Sequence, residues 1–289
     1  MKRYKIVHKT QYDFSGSVQL QPHTLRLRPR EGHELRMESS KLVISPSATL
    51  RWHRDVEGNS VATASFTEST QSLAIQSEII IQQYDQTPHD FLVSDYAVDY
   101  PFQYNDEDKE LLLPYMRSSG TEETSLLANW IIGIWQPGEK IQTFALLLRL
   151  NQRIYQALTY RRREEEGVQS VEQTLSLKSG SCRDSAFLFI AAARQFGFAA
   201  RFVSGYIYSD STTNPLGQSG STHAWAEVFL PGAGWKGFDP TIGSLVGAEH
   251  ITVAVARLPE SVPPISGSFN GPPGANMMVN VWVTELAGH

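Results

Sequence analysis

The chain has 289 residues, 41% of them hydrophobic and 19% charged, which is enough apolar material for a sizeable core and too little charge for a disordered chain. At roughly 100–200 residues per domain, the length favours two domains. Lys and Arg total 25 against 30 Asp and Glu, and the net charge of −5 gives no global electrostatic reason to bind nucleic acid or an anionic membrane. The single cysteine, Cys182, excludes an intrachain disulfide and any multi-cysteine zinc or iron–sulfur site.

Lys2 and Arg3 open the chain, but no apolar stretch of about 7–15 residues follows them, so the start does not read as a secretory signal. No run of about 18 apolar residues occurs, and no bilayer-spanning segment is predicted. A cytoplasmic address is expected, where a free thiol stays reduced. Up to residue 85, short β-branched and aromatic runs at 4–8, 24–28, 41–44, 61–66 and 77–84 are separated by Gly, Pro, Ser and Asn clusters. Leu25 and Leu27 alternate with Arg26 and Arg28. These signals predict an antiparallel β-sandwich domain over residues 1–85.

Residues 86–124 read as a linking region. Pro88, Pro101 and Pro114 interrupt it, a short helical piece lies near 106–116, and 117–123 is polar. A second domain over 125–289 opens with helical spacing in Leu126, Leu127, Trp130, Ile131 and Ile134. The same spacing continues in Phe144, Leu147, Leu148, Asn151, Ile154, Tyr155 and Leu158, predicting a helix that ends near Tyr160. The charge run at 161–166 reads as a solvated loop.

Leu177-Lys178-Ser179-Gly180-Ser181-Cys182-Arg183-Asp184-Ser185 leads into an Ala-rich, Pro-free run closed by Gly197. This predicts a buried helix with Cys182 in its first turn. A thiolate there faces the positive end of the helix dipole and free backbone N–H groups, which also suit an oxyanion formed when sulfur attacks a carbonyl. Taken alone, a helical cysteine is more often a small core residue. The glycine turn and the two flanking charges weigh against that here.

Residues 220–230, containing His223, alternate as a strand, and Pro231-Gly232-Ala233-Gly234 turns into a second strand, Trp235 to Asp239. Pairing His223 directly with Asp239 places Val228 opposite Gly234 and leaves a five-residue loop, 229–233. A register shifted by one would put Asp239 on the wrong face. The three side chains suit acyl transfer through a thioester, with Cys182 attacking, His223 moving the proton and Asp239 fixing the ring.

These segments resemble the bacterial transglutaminase-like proteins of the papain-like cysteine hydrolase and acyltransferase class. The resemblance rests on Gly180-Ser181-Cys182-Arg183-Asp184, Ala200-Arg201-Phe202-Val203-Ser204-Gly205-Tyr206, His223-Ala224-Trp225-Ala226-Glu227-Val228, and Gly234-Trp235 with Phe238-Asp239-Pro240-Thr241. Near the start, Tyr4 to Thr10, Pro22-His23 and Leu25 to Arg30 are similar to the β-rich N-terminal domain of that family. The resemblance implies an α+β fold, the sandwich followed by a papain-like, transglutaminase-like core. It also implies Cys182 as nucleophile, His223 as base, Asp239 as orienting acid, and a peptide or protein substrate. Ser185 stands where the family has an aromatic residue. Residues 250–256 continue its pattern, but Arg257-Leu258-Pro259-Glu260 departs from it.

The other histidines, His8, His23, His33, His53, His89, His250 and His289, are scattered without ligand spacing, so no metal is expected. No cofactor is expected either, since G-x-S-x-G, P-loop and G-x-G-x-x-G signatures are missing. Residues 259–273, with five prolines, predict an irregular surface loop, and 279–284 a last strand. The competing reading is a catalytically silent module that holds a peptide in the same groove.

Overall fold

The computed structural model describes residues 1–84, 90–118, 125–163, 165–209 and 220–287. The first half is built from β1 (Lys2–Leu20), β2 (His23–Leu25), β3 (Leu35–Ser45), β4 (Thr49–Arg54), β5 (Ser60–Ser65) and β6 (Ser69–Gln83). β7 (Asp99–Tyr100) and α1 (Asp106–Met116) follow, the latter at the predicted helical piece, with α2 (Ser125–Ile132), β8 (Ile141–Gln142), α3 (Thr143–Ala157) and β9 (Thr159–Tyr160) after them. Then come α4 (Val171–Leu177), β10 (Ser179–Gly180), α5 (Cys182–Gln195), β11 (Ala200–Ile207), β12 (Ser221–Leu230), β13 (Gly234–Asp239), β14 (Ser244–Leu245) and β15 (His250–Ala256). β16 (Ile265–Ser266), β17 (Phe269–Asn270) and β18 (Ala275–Leu286) end the chain. His89, His289, Glu164 and the polar positions 119–123 lie outside the described residues.

Strict alternation buries Tyr4, Ile6, His8 and Thr10 on one face of β1, and Leu73, Ile75, Ile79 and Ile81 do the same on β6. β1 pairs antiparallel with β6, and β6 with β3, while β2, β5 and β4 form a second antiparallel sheet. Val18, Leu20, Leu25, Leu27, Ala62, Ala64, Leu73 and Ile75 fill the space between the two sheets. This is the expected sandwich.

The C-terminal strands were expected with the second domain, but their hydrogen bonds go to the first. β18 runs along β1 from Arg3↔Leu286 to Phe14↔Ala275, β17 also pairs with β1, and β16 pairs with β2. The proline-rich stretch before β18 is therefore not wholly irregular. The physical reason is an open edge: β1 would otherwise present a long row of unpaired N–H and C=O groups. β18 meets that need and buries Val281 and Val283 beside Tyr4, Ile6 and Ile251.

In the second half, β14-β13-β12-β11-β15 form one antiparallel sheet. α5 lies against it, and its core-facing residues Ala186, Phe187, Phe189, Ile190 and Ala193 pack with Leu146, Leu147, Leu150 and Ile154 of α3. Each fully buried Leu, Ile or Phe stabilises the fold by about 1.5–3 kcal/mol, so this cluster holds the helix firmly. α3 ends at Ala157, three residues before the predicted Tyr160. There the chain turns extended, and β9 pairs in parallel with β10. That ladder draws Tyr160 alongside Gly180, two residues ahead of Cys182.

Buried polar links join the halves. Asn59, just before β5, is fully buried, donates to the Val255 carbonyl at 2.8 Å and accepts from the Val255 N–H at 2.9 Å. His8 on β1 lies 3.0 Å from the Tyr206 hydroxyl and 3.0 Å from Thr10 Oγ1. Among the described residues no helix is long and apolar enough to cross a membrane.

Candidate active site

Cys182 occupies the first turn of α5, as its sequence surroundings predict, and is half-buried. The turn is held by Asp184. Its Oδ2 accepts from the Ser181 N–H at 2.7 Å and from Ser181 Oγ at 2.8 Å, and its Oδ1 from the Gln169 N–H at 2.7 Å and Arg163 Nη1 at 2.8 Å. Asp184 is fully buried, so these donors replace the water its charge has lost. Gly180 explains why the carboxylate fits: a Cβ there would come within 2.7 Å of Asp184 Cβ. The short side chain of Asp reaches back as Glu or Gln does in a capping box, and only glycine leaves room for it.

Arg163 belongs to the charge run that reads from sequence as a solvated loop. Arg161 and Arg162 are exposed, but Arg163 is turned inward with its side chain 14% exposed. Its position matters electrostatically. A carboxylate in the first turn of α5 would oppose a thiolate on Cys182, and the guanidinium neutralises it.

His223 lies near the start of β12 and Asp239 at the end of β13. The predicted register is corrected by the pairing of Leu230 with Gly234 and of Ala226 with Phe238. The turn is thus three residues, not five, and the strands are displaced by two positions from the predicted pairing. Extended by one step, this register puts Asp239 opposite Trp225, diagonal to His223. A two-residue displacement keeps the face, because side chains alternate with period two. The carboxylate spans the diagonal: His223 Nε2 lies 2.6 Å from Asp239 Oδ2.

Both side chains are buried. Burial opposes a charge on the His223 ring, but the Asp239 carboxylate outweighs it, and the Cys182 sulfur adds a further hydrogen bond; together they hold the imidazolium up to about 10. Burial likewise acts to raise Asp239, yet His223 and then His250 hold its carboxyl well below the usual carboxylate range. With Nε2 engaged by Asp239, Nδ1 is the ring nitrogen left for the thiol. The arrangement can therefore pass a proton between Cys182 and His223 while Asp239 stays ionised.

His250 is the residue that sequence spacing misses. It starts β15 and is buried, with Nε2 3.1 Å from Asp239 Oδ2 and Nδ1 accepting from the Gly247 N–H at 3.1 Å. His223, Asp239 and His250 offer ligand atoms within 4.8 Å of one another, the one such group found among the described residues. Their spacings are those of hydrogen bonds, and binding a cation would first require both Nε2 protons to leave. Tyr160 is a second addition. Burial raises its hydroxyl, the nearby Cys182 sulfur adds to that, and Arg162 and Arg183 oppose it.

Two regions of the chain match known families. Residues 4–82 match the bacterial transglutaminase-like N-terminal region, and residues 136–240, which include Cys182, His223 and Asp239, match the transglutaminase-like superfamily. Uncharacterized proteins of Mycobacterium tuberculosis and Mycobacterium bovis are each 29% identical over 279 residues, covering 92% of this chain and 87% of theirs. One from Mycobacterium leprae is 32% identical over 110 residues, 37% of this chain and 38% of its own. The crystal structure of a candidate cysteine protease from Cytophaga hutchinsonii is similar in fold, with a TM-score of 0.74, 17% identity, and coverage of 100% of this chain and 92% of that one. With a sandwich that matches the bacterial N-terminal region ahead of it, the core over residues 136–240, which carries cysteine, histidine and aspartate in this order, is a match to the transglutaminase-like superfamily.

Proposed function

We propose that the protein is a cysteine-dependent enzyme that cleaves or transfers acyl groups at amide bonds of peptides or proteins. In the first step the Cys182 sulfur attacks the amide carbon, the C–N bond breaks, and the His223 imidazolium gives its proton to the departing amine. In the second step water or a primary amine attacks the thioester, His223 takes the incoming proton, and the sulfur leaves as the thiolate. The unpaired backbone N–H groups that a helix start offers, here in the first turn of α5 beside Cys182, are the donors this reading assigns to the carbonyl oxygen as it gains charge.

The observation that carries this reading is the buried 2.6 Å contact between His223 and Asp239, with Cys182 on the other side of the same ring. An isolated core cysteine has no need of such a partner. Mass spectrometry of candidate peptides incubated with wild-type and Cys182→Ala protein, with and without a primary amine, tests it. Loss of ammonia with amine addition identifies a transferase, and chain cleavage a protease. Identical products from both proteins would refute chemistry at Cys182 and leave the silent peptide-binding module.

A further inference from the structure

We propose that His250 is a positioning residue for the Asp239–His223 pair, reaching from the strand at the opposite edge of the sheet to clamp the carboxylate oxygen that His223 engages. This rests on the reading of Cys182 and His223 as a reacting pair. His250 touches neither sulfur nor substrate in this geometry, so whatever it does passes through Asp239.

Its tautomer follows from its partners. The Gly247 N–H donates to Nδ1, so that nitrogen carries a lone pair and the ring proton sits on Nε2. The Nε2–H is then donated to Asp239 Oδ2, the same oxygen that accepts from His223. Asp239 Oδ1 accepts from the Thr241 N–H at 2.9 Å. Three donors, from β12, from β15 and from the turn after β13, thus fix the carboxylate plane. Asp239 is fully buried and no solvent can replace a missing donor.

The reach of His250 is itself built into the sheet. β15 is separated from β13 by β11 and β12. Trp225 packs edge-on to His250, ring centroids 5.2 Å apart at 81°. It lies against Gly205, where a Cβ would come within 2.6 Å of the indole and 2.3 Å of the Ile251 carbonyl oxygen. Glycine at 205 therefore leaves room for the Trp225 ring against which His250 packs. The ionisable groups facing His250 are Asp239 from β13 and His223 from β12, 6.0 Å away ring to ring.

Two conservative substitutions separate the contacts. His250→Asn keeps an acceptor near the Nδ1 position and loses the donor to Asp239, whereas His250→Gln keeps a donor near the Nε2 position. The probe is iodoacetamide, which reports on the sole thiol of the chain, with rates followed across pH and melting followed in parallel. His250→Asn is expected to alkylate about tenfold more slowly at pH 6, with its acid limb displaced upward, as for loss of a hydrogen bond to a charged group, and His250→Gln to recover most of that loss. His250→Asn/Asp239→Asn is expected to react no more slowly than Asp239→Asn alone, since the effect passes through Asp239. A His250→Asn profile that coincides with wild type, an equal loss in both single variants, or an additive loss in the double variant would overturn the proposal.

Nitrogen-15 NMR of the histidine-labelled wild-type protein gives an answer independent of any variant's folding. At neutral pH the His250 ring is expected protonated on Nε2 and bare on Nδ1, and the reverse tautomer overturns the proposal. A wild-type thiol that behaves as an ordinary cysteine would count against the proposed function, and the tautomer would still decide whether His250 holds Asp239.

Discussion

Asp239 stands diagonally across the hairpin from His223, and its Oδ2 still reaches the ring at 2.6 Å. The diagonal places the carboxylate where His250 can share the same oxygen. Replacing Asp239 by Asn keeps the size and removes the charge that stabilises the imidazolium. Asp239→Asn is expected to slow carbamidomethylation of Cys182 at pH 6 by about tenfold or more, in line with a histidine shift of at least one pH unit. An unchanged rate would show that the carboxylate does not act on the thiol through His223.

Arg163 is expected to matter more than its place in a charge run implies. Arg163→Ala removes one of four donors from a fully buried carboxylate and leaves the Asp184 charge unopposed in the turn that carries Cys182. A loss of roughly 3 kcal/mol in unfolding free energy is expected, the lower part of the range for breaking a buried pair because three donors remain. Urea unfolding measures this. A loss below about 0.5 kcal/mol, typical of a surface charge, would contradict the buried role.

Gly205→Ala is expected to destabilise the second sheet. The new methyl would meet both the Ile251 carbonyl oxygen and the Trp225 indole at less than van der Waals distance. Overpacking of this kind costs about 1–3 kcal/mol, and the upper end applies because one neighbour is backbone. Thermal melting reads the cost, and nitrogen-15 NMR of His250 reads whether the ring keeps its hold on Asp239.

Acid sensitivity should arise partly from His8, remote from the site. Burial pushes its ring down from 6.5 to about 4. Above pH 6.5 the ring is neutral in both the folded and the unfolded chain. Between pH 6.5 and about 4 the unfolded chain takes up the proton first, so stability falls with falling pH, by roughly 3 kcal/mol in total; below about 4 both states are protonated and this contribution stays lost. His8→Gln is expected to lose this part of the slope. Parallel pH–stability curves for the two proteins would contradict it.

The residues of the site were legible where local chemistry marks them. Cys182 is announced by a glycine turn and an Ala-rich helix, and His223 and Asp239 by two alternating strands around a Pro-Gly turn. The register was two positions off because Pro231-Gly232-Ala233-Gly234 accommodates both a five-residue and a three-residue turn, and alternation alone is blind to even shifts. His250 is hidden for another reason. Its link to Asp239 crosses two intervening strands, which no spacing rule encodes. Arg163 looked like its solvated neighbours because only the fold turns it toward Asp184. The pairing of β18 with β1 joins opposite ends of the chain, and alternation names a strand without naming its partner.

In the proposed chemistry Cys182 reacts as a thiolate paired with the His223 imidazolium. The pH dependence of its alkylation by iodoacetamide, followed by mass spectrometry in wild type and in His223→Ala, tests this most directly because no other thiol competes. Substantial reactivity persisting below pH 7 in wild type, and its loss in His223→Ala, are expected. A single rise centred at about pH 8.5, the same in both proteins, would contradict it.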